Sequence, residues 1–312
     1  IQEFQFGMNW SEYSRFMGDI FGAPLAIEAL AAFFLESTFI GMWMFTWDRF
    51  NKWVHTLFIW LVMFGSSLSA LWILAANSFM QNPLGYIINQ KTGHVQMTSF
   101  GQVVGNPQLW NEFPHVIFGA FVTASFVIAG CCAWRLLKKD HVSFYRKSMN
   151  VALVIGLIFS LGSIASGDFQ TRYLINNQPM KFAAMEGLYK DSTNKGEWSA
   201  VSTFNTKQHK STWSIDVPYV LNLLSYHKTT GTVKGMNTIN KELHAKYDKK
   251  FGSDMNYYVP TNTLFWSFRI MAGAGALFAL LAIVGLIMNR KKSQAIMKQR
   301  WFLYIMGLCL WL

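Results

Sequence analysis

Charge is scarce in this chain: only 14% of its 312 residues are Asp, Glu, Lys or Arg, against about a quarter in an ordinary soluble domain. The charged residues cluster, which leaves apolar stretches longer than the roughly 20 residues that a bilayer crossing needs. Acids are scarcer than bases, 16 against 27, for a net charge of +11. The bases sit in loops between apolar runs, so they read as topology signals and a basic outer loop, and no nucleic-acid partner is expected. Cysteine is nearly absent. Cys131 and Cys132 are adjacent in one apolar run and Cys309 lies in another, which excludes a disulfide scaffold and makes packing their default role. No signal peptide is legible. The chain does not begin with Met, and its last run, Trp301 to Leu312, is too short to span. The expectation is a piece of a longer chain, trimmed at both ends.

Residues 1–21 are mixed and aromatic, suiting the end of an earlier helix followed by an interfacial segment. Apolar runs then cover roughly 22–46, 54–80, 113–137, 148–167 and 262–289, and a further run begins at Trp301. Only helices and closed barrels satisfy their backbone in lipid, and these runs are too long for barrel strands. The expected fold is therefore an all-α integral membrane protein, a polytopic helix bundle. Residues 168–260 are polar, Lys-rich and without a span. The expected organisation is a first stretch of the bundle at 1–167, a large polar extracytoplasmic loop at 168–260, and further transmembrane helices at 261–312.

Orientation follows from Lys and Arg in the short loops. The loop 47–53 holds Arg49 and Lys52, the loop 135–147 holds five bases, and 290–300 holds five more, whereas the longer loop 81–112 holds only Lys91. The first three are read as cytoplasmic, which places 81–112 and 168–260 outside.

Glu28 and Glu36 lie in the first full run, where a carboxylate costs about 2.5–3.5 kcal/mol on the insertion scale. On a regular α-helix they sit about 12 Å apart along the axis and roughly 80° apart around it, so both can face the bundle interior. They are either carboxyls held by neighbouring helices or members of a proton relay or an ion path. Ser37, next to Glu36, and Ser66, Ser67, Ser69 and Asn77 on the next helix could extend such a wire, although each alone is ordinary helix–helix glue. His115 is the one His near the outer end of a span; His55 sits at a loop edge and the other five lie in loops. Met271 lies about 13 Å into a helix that also starts outside. Each alone is ordinary packing, but at similar depth on two helices the two suit a His/Met low-spin haem. Gly273 and Gly275 would let a flat macrocycle or another helix approach. Arg269 could pair with haem propionates or snorkel to the interface. Lys181 and Glu186, about one and a half helical turns apart, read locally as a solvated helix face.

Several strings in order, EFQFGMNW, GDIFGAPLAIEALAAFFLESTF, SALWILAANSFMQNP, the His115 segment, KFAAMEG and FRIM, resemble subunit I of cytochrome bd-type quinol oxidases. That resemblance implies a terminal oxidase in a bacterial or archaeal plasma membrane, taking electrons from a membrane quinol, reducing oxygen to water and drawing protons from the cytoplasm. It implies that His115 and Met271 are axial ligands of a low-spin haem b with Arg269 beside it. Lys181 and Glu186, in the loop called the Q loop, would form the quinol site. Glu28, Glu36, Ser37 and Ser69 would line the proton path, and Trp311 would lie near the oxygen-reducing haems. Those are a high-spin haem b and either haem d or a second b-type haem, with ligands beyond this stretch of chain. The expected partners are a second large subunit, small single-span subunits and the surrounding lipid bilayer. The sequence does not separate ubiquinol from menaquinol. Without the resemblance, two other readings stay open: a haem-free transporter or channel using Glu28 and Glu36 as a relay, and a structural subunit whose polar residues hold helices together.

Overall fold

The computed structural model describes residues 7–289 and 299–309. Five helices are long and apolar enough to cross a membrane: Asp19–Phe45, Lys52–Gln81, Pro107–Leu137, Val142–Asn177 and Thr261–Met288. They correspond to the five expected runs, so the expected membrane helix bundle is borne out. Many of their large side chains are exposed, among them Leu30 (71%), Phe45 (79%) and Ile270 (69%). In a bilayer these rings and branches meet acyl chains rather than water.

The chain divides into two compact units, 1–117 and 118–312. The first contains α1 (Ser11–Met17), α2 (Asp19–Ile27), α3 (Phe34–Phe45), α4 (Lys52–Gln81), the short α5 (Phe100–Val104) and the start of α6 (Pro107–Leu137). A small antiparallel hairpin pairs β1 (Tyr86–Ile88) with β2 (Val95–Met97), Tyr86 opposite Met97. Between α2 and α3 the helix widens into a π segment, Glu28–Phe33, one turn after Pro24. Such a bulge is frequent at functional sites. It also alters the angular offset between Glu28 and Glu36, which the expectation of a regular α-helix set at roughly 80°. Gly65 on α4 lets α3 approach: a Cβ there would lie 2.9 Å from Leu35 Cδ2 and 3.2 Å from both the Ala32 carbonyl oxygen and the Glu36 nitrogen. The core of this unit gathers Met17, Ile20, Phe21, Ala76, Phe79, Val95 and Val103.

The second unit contains the rest of α6, then α7 (Val142–Asn177), α8 (Pro179–Met185), α9 (Val220–Tyr226), α10 (Met236–Phe251), α11 (Thr261–Met288) and α12 (Arg300–Leu308). Helices α7 and α11 pack side by side, and α8 packs on both. A core of Phe126, Ala129, Met149, Leu153, Ala282, Phe302 and Met306, with their neighbours, ties α6, α7, α11 and α12 together. Between α8 and α11 the chain folds instead of spanning. It forms an antiparallel hairpin of β3 (Trp198–Asn205) and β4 (Lys210–Val217), with Trp198 opposite Val217 and Asn205 opposite Lys210. Met180, Ala183, Ala184, Tyr189, Met236 and Ile239 form a local core beneath it.

Helix lengths depart from the apolar runs. Helix α7 continues to Asn177, ten residues past the expected end of its run. Its last turns are polar but held by local bonds, Arg172 to Asp168 at 2.6 Å and Thr171 Oγ1 to the Gly167 carbonyl at 3.0 Å. Helix α6 starts six residues before its run, at Pro107, where a missing N–H costs nothing and the Asn106 side chain accepts from the Gln108 N–H at 3.0 Å.

Candidate functional site

In the second unit the segment between α7 and α11 is anchored on a buried ion pair. Pro179 opens α8, which carries Lys181 half-buried in its first turn and ends at Glu186. Gly187 follows in the left-handed region, φ 72°, where a Cβ would strike the Phe204 ring at 2.6 Å. This glycine turns the chain so that β3 and α11 close over Glu186. Glu186 is left 3% exposed, so it is not on the solvated face that its local sequence suggests. Its Oε2 accepts from Arg269 Nη2 at 2.8 Å. Arg269 Nε and Nη2 also donate to the Ser199 carbonyl, at 3.1 and 2.8 Å. The rings of Phe265, Trp198 and Phe268 lie 4.5, 4.7 and 5.6 Å from the guanidinium carbon, which adds cation–π attraction to a desolvated charge. Burial pushes the Glu186 carboxyl above the usual carboxylate range, against the opposing pull of the Arg269 charge. Arg269 Nη1 is buried and has no hydrogen-bond partner among the described residues.

Two residues after Arg269, Met271 stands half-exposed (52%) on α11. A Cβ built on Gly273 or Gly275 meets nothing within 4 Å. In the first unit, His115 is partly buried on α6, and a Cβ on Gly119, one turn on, also meets nothing within 4 Å. Each expected axial ligand is thus followed one turn later on its own helix by a glycine beside open space, which suits the flat edge of a macrocycle. The unpaired Arg269 Nη1 suits a carboxylate of such a group. Taken separately, the residues on each helix therefore fit one side of a haem. Trp311 lies outside the described residues.

In the membrane helices of the first unit, Glu28 is 5% exposed and accepts from Ser69 Oγ at 2.6 Å. These two expected path residues, 41 positions apart, are brought together across the π segment and α4. Glu36 is partly buried beside Gly65. Ser37 is exposed and donates to the Phe34 carbonyl of its own helix at 3.4 Å.

Two polar clusters were not legible in the sequence. Glu112 Oε1 accepts from Gln81 Nε2 at 2.7 Å and from Gln108, and Gln81 reaches Asn77 Oδ1 at 2.6 Å. The signal available was Glu112 three residues before His115. At the end of α7, Asp168 accepts from Arg172 and lies 2.9 Å from His227 Nε2. Its signal was an acid at the edge of an apolar run with an Arg at i+4.

The profile of the family described as "Cytochrome bd terminal oxidase subunit I" matches residues 1–312. The chain belongs to this family. It is 53% identical over 306 residues to "Cytochrome bd ubiquinol oxidase subunit 1" of Bacillus subtilis (strain 168), covering 98% of this chain and 64% of that protein. It is 32% identical to "Cytochrome bd-II ubiquinol oxidase subunit 1" of Escherichia coli (strain K12), covering 99% of this chain and 69% of that protein. Its fold matches the solved bd oxidase of Geobacillus thermodenitrificans with a TM-score of 0.80 at 27% identity, covering 95% of this chain and 64% of that one. The chain thus spans just under two thirds of the first of these relatives. For a member of this family, the five long apolar helices make a multi-pass membrane protein, and the family implies haem.

Proposed function

We propose that this chain forms the greater portion of subunit I of a membrane quinol:oxygen oxidoreductase in a bacterial or archaeal plasma membrane. The observation that carries the reading is the buried Glu186–Arg269 pair, which joins the polar outer segment to the helix bearing Met271, two residues from the pair itself. Quinol oxidation sends electrons and protons along different routes. A carboxylate and a site for one-electron transfer on adjoining elements are the groups that this separation needs.

In this reading Lys181 donates a hydrogen bond to a quinol oxygen and Glu186 accepts the hydroxyl proton. Arg269 holds the carboxylate in place, and its unpaired Nη1 is free to meet a haem carboxylate. His115 and Met271 would hold the low-spin haem b, which supplies one-electron transfer without an open position for oxygen. Glu28 and Ser69, with Glu36 and Ser37, would carry protons from the cytoplasm towards the oxygen-reducing site. The high-spin haem b and the haem d or second b-type haem have their ligands elsewhere in the full protein. Residues 168–260 lie on the extracytoplasmic side, where quinol protons are released. A second large subunit and small single-span subunits cover some of the exposed apolar faces, and lipid covers the rest.

The test is oxygen uptake by the assembled oxidase with two electron donors. Lys181→Ala and Glu186→Gln should lower quinol-driven uptake at unchanged haem content, while a donor that bypasses the quinol site still supports it. Equal loss with both donors would assign the two residues a structural role.

A further inference from the structure

At the end of the second unit remote from the hairpin, helix α6 finishes at Leu137 and α12 begins at Arg300. A cavity of about 200 Å³ opens there, lined by Leu136, Leu137, Lys139, Arg300 and Leu303. Most of the neighbouring cations are already matched. Arg135 Nη1 meets Asp140 Oδ2 at 3.1 Å, and the other oxygen of Asp140 lies 3.5 Å from His141 Nε2. Arg146 donates to Asn289 through Nε at 3.0 Å and Nη2 at 3.2 Å. Lys138 Nζ sits 5.0 Å above the Trp134 ring. Lys139 and Arg300 have no acidic partner among the described residues, and both line the one cavity.

The rest of the lining is leucine, continuous with the buried core through Leu136 and Leu303, each 1% exposed. Trp134 on α6 and Trp301 and Tyr304 on α12 are more than half exposed around the same end. Amphipathic rings of this kind sit at the level of lipid headgroups. A cavity with two unmatched cations, an apolar wall and an aromatic surround fits an amphiphile with an anionic head, and basic pockets between membrane helices bind such headgroups.

We propose that this cavity binds the phosphate headgroup of an anionic phospholipid. Lys139 and Arg300 neutralise the phosphate, and the leucines receive the glycerol and the first methylenes of an acyl chain. The site is separate from the haem and quinol residues and implies a structural lipid that stays with the complex through detergent extraction.

The experiment is native mass spectrometry of the purified oxidase complex, delipidated and then incubated with equal amounts of phosphatidylglycerol and phosphatidylcholine. Wild type should retain phosphatidylglycerol selectively, and millimolar inorganic phosphate should not displace it. A surface cation contributes about fivefold in affinity for anionic lipid, so Lys139→Gln with Arg300→Gln should weaken retention by about thirtyfold. Lys147→Gln, an exposed base that does not line the cavity, should leave retention unchanged. Equal retention of both lipids by wild type would overturn the proposal, and this arm needs no variant to fold. So would equal retention of phosphatidylglycerol by wild type and the double variant. Displacement by inorganic phosphate would make it a site for the free anion and also overturn it.

Discussion

Replacing Arg269 by Met keeps a long apolar stem but removes the cation that faces Glu186. The two side chains are 9% and 4% exposed, so little solvent screening softens the loss. Removing one partner of a buried pair costs about 3–5 kcal/mol, because the other charge is left buried and unmatched. Glu186 has an alternative, which is to take up a proton. From an ordinary value near 4.3, neutralising a carboxyl at pH 7 costs about 3.7 kcal/mol, and this cost falls by about 1.36 kcal/mol for each pH unit removed. The destabilisation in Arg269→Met is therefore capped near 3.7 kcal/mol at pH 7 and near 1 kcal/mol at pH 5. The sign agrees with burial raising the Glu186 carboxyl in the folded protein: stability is full below the ordinary carboxylate value and is lost as pH rises through the raised one. Hydrogen exchange on peptides covering α8 and β3 reads the cost as local opening. Arg269→Met should raise opening about 500-fold at pH 7 and about fivefold at pH 5. The double variant Arg269→Met with Glu186→Met removes both charges and should recover most of the protection, since apolar replacement of a buried pair is often neutral. A pH-independent increase, or no recovery in the double variant, would refute the argument.

Other outcomes follow from the same geometry. If Glu186 accepts the quinol proton, kcat/KM for quinol should fall on an acid limb that lies above the ordinary carboxylate range, because burial raises its carboxyl; Glu186→Gln should abolish that limb. Glu36→Gln keeps the volume but cannot carry a proton, so oxygen reduction should fall more than quinol binding at normal haem content. Glu28→Gln also disturbs a buried carboxyl bonded to Ser69, and its effect should be weaker on turnover or fall on haem assembly. For sidedness, Lys195→Cys and Lys210→Cys should react with an impermeant thiol reagent applied outside the cell, and Lys139→Cys should not; the reverse pattern would invert the topology and withdraw the quinol-site assignment.

The spans were legible because hydropathy reports what must face lipid. Their ends were less so, because hydropathy marks bilayer thickness and not helix length. Helix α7 runs on to Asn177 through polar turns held by the Asp168–Arg172 pair, and α6 starts early at an Asn106–Pro107 cap that needs no apolar residue. The π segment at Glu28 left no periodic mark, since nearly every side chain around it is apolar. The fold between α8 and α11 read only as polar and Lys-rich, although Trp198–Asn205 and Lys210–Val217 pair as a hairpin. At the site, single residues were legible and their partners were not. Glu186 looked solvated because its partner Arg269 comes from a helix 83 residues away, where Ser199 of the hairpin and Phe265 hold the guanidinium. Glu28 and Ser69 were each visible as polar residues in apolar helices. Their 2.6 Å bond depends on how the π segment packs on α4, which no local pattern encodes.

On the proposed function, His115 and Met271 would hold the low-spin haem b. The direct test is a reduced-minus-oxidised visible spectrum with redox titration of the assembled oxidase. His115→Ala should remove the low-spin haem or turn it high-spin. Met271→Leu keeps volume and apolarity on a half-exposed helix face, so it should spare folding but weaken haem retention or lower the potential, because a thioether ligand raises it. An unchanged low-spin spectrum and potential in Met271→Leu would show that another residue holds the haem in place of Met271.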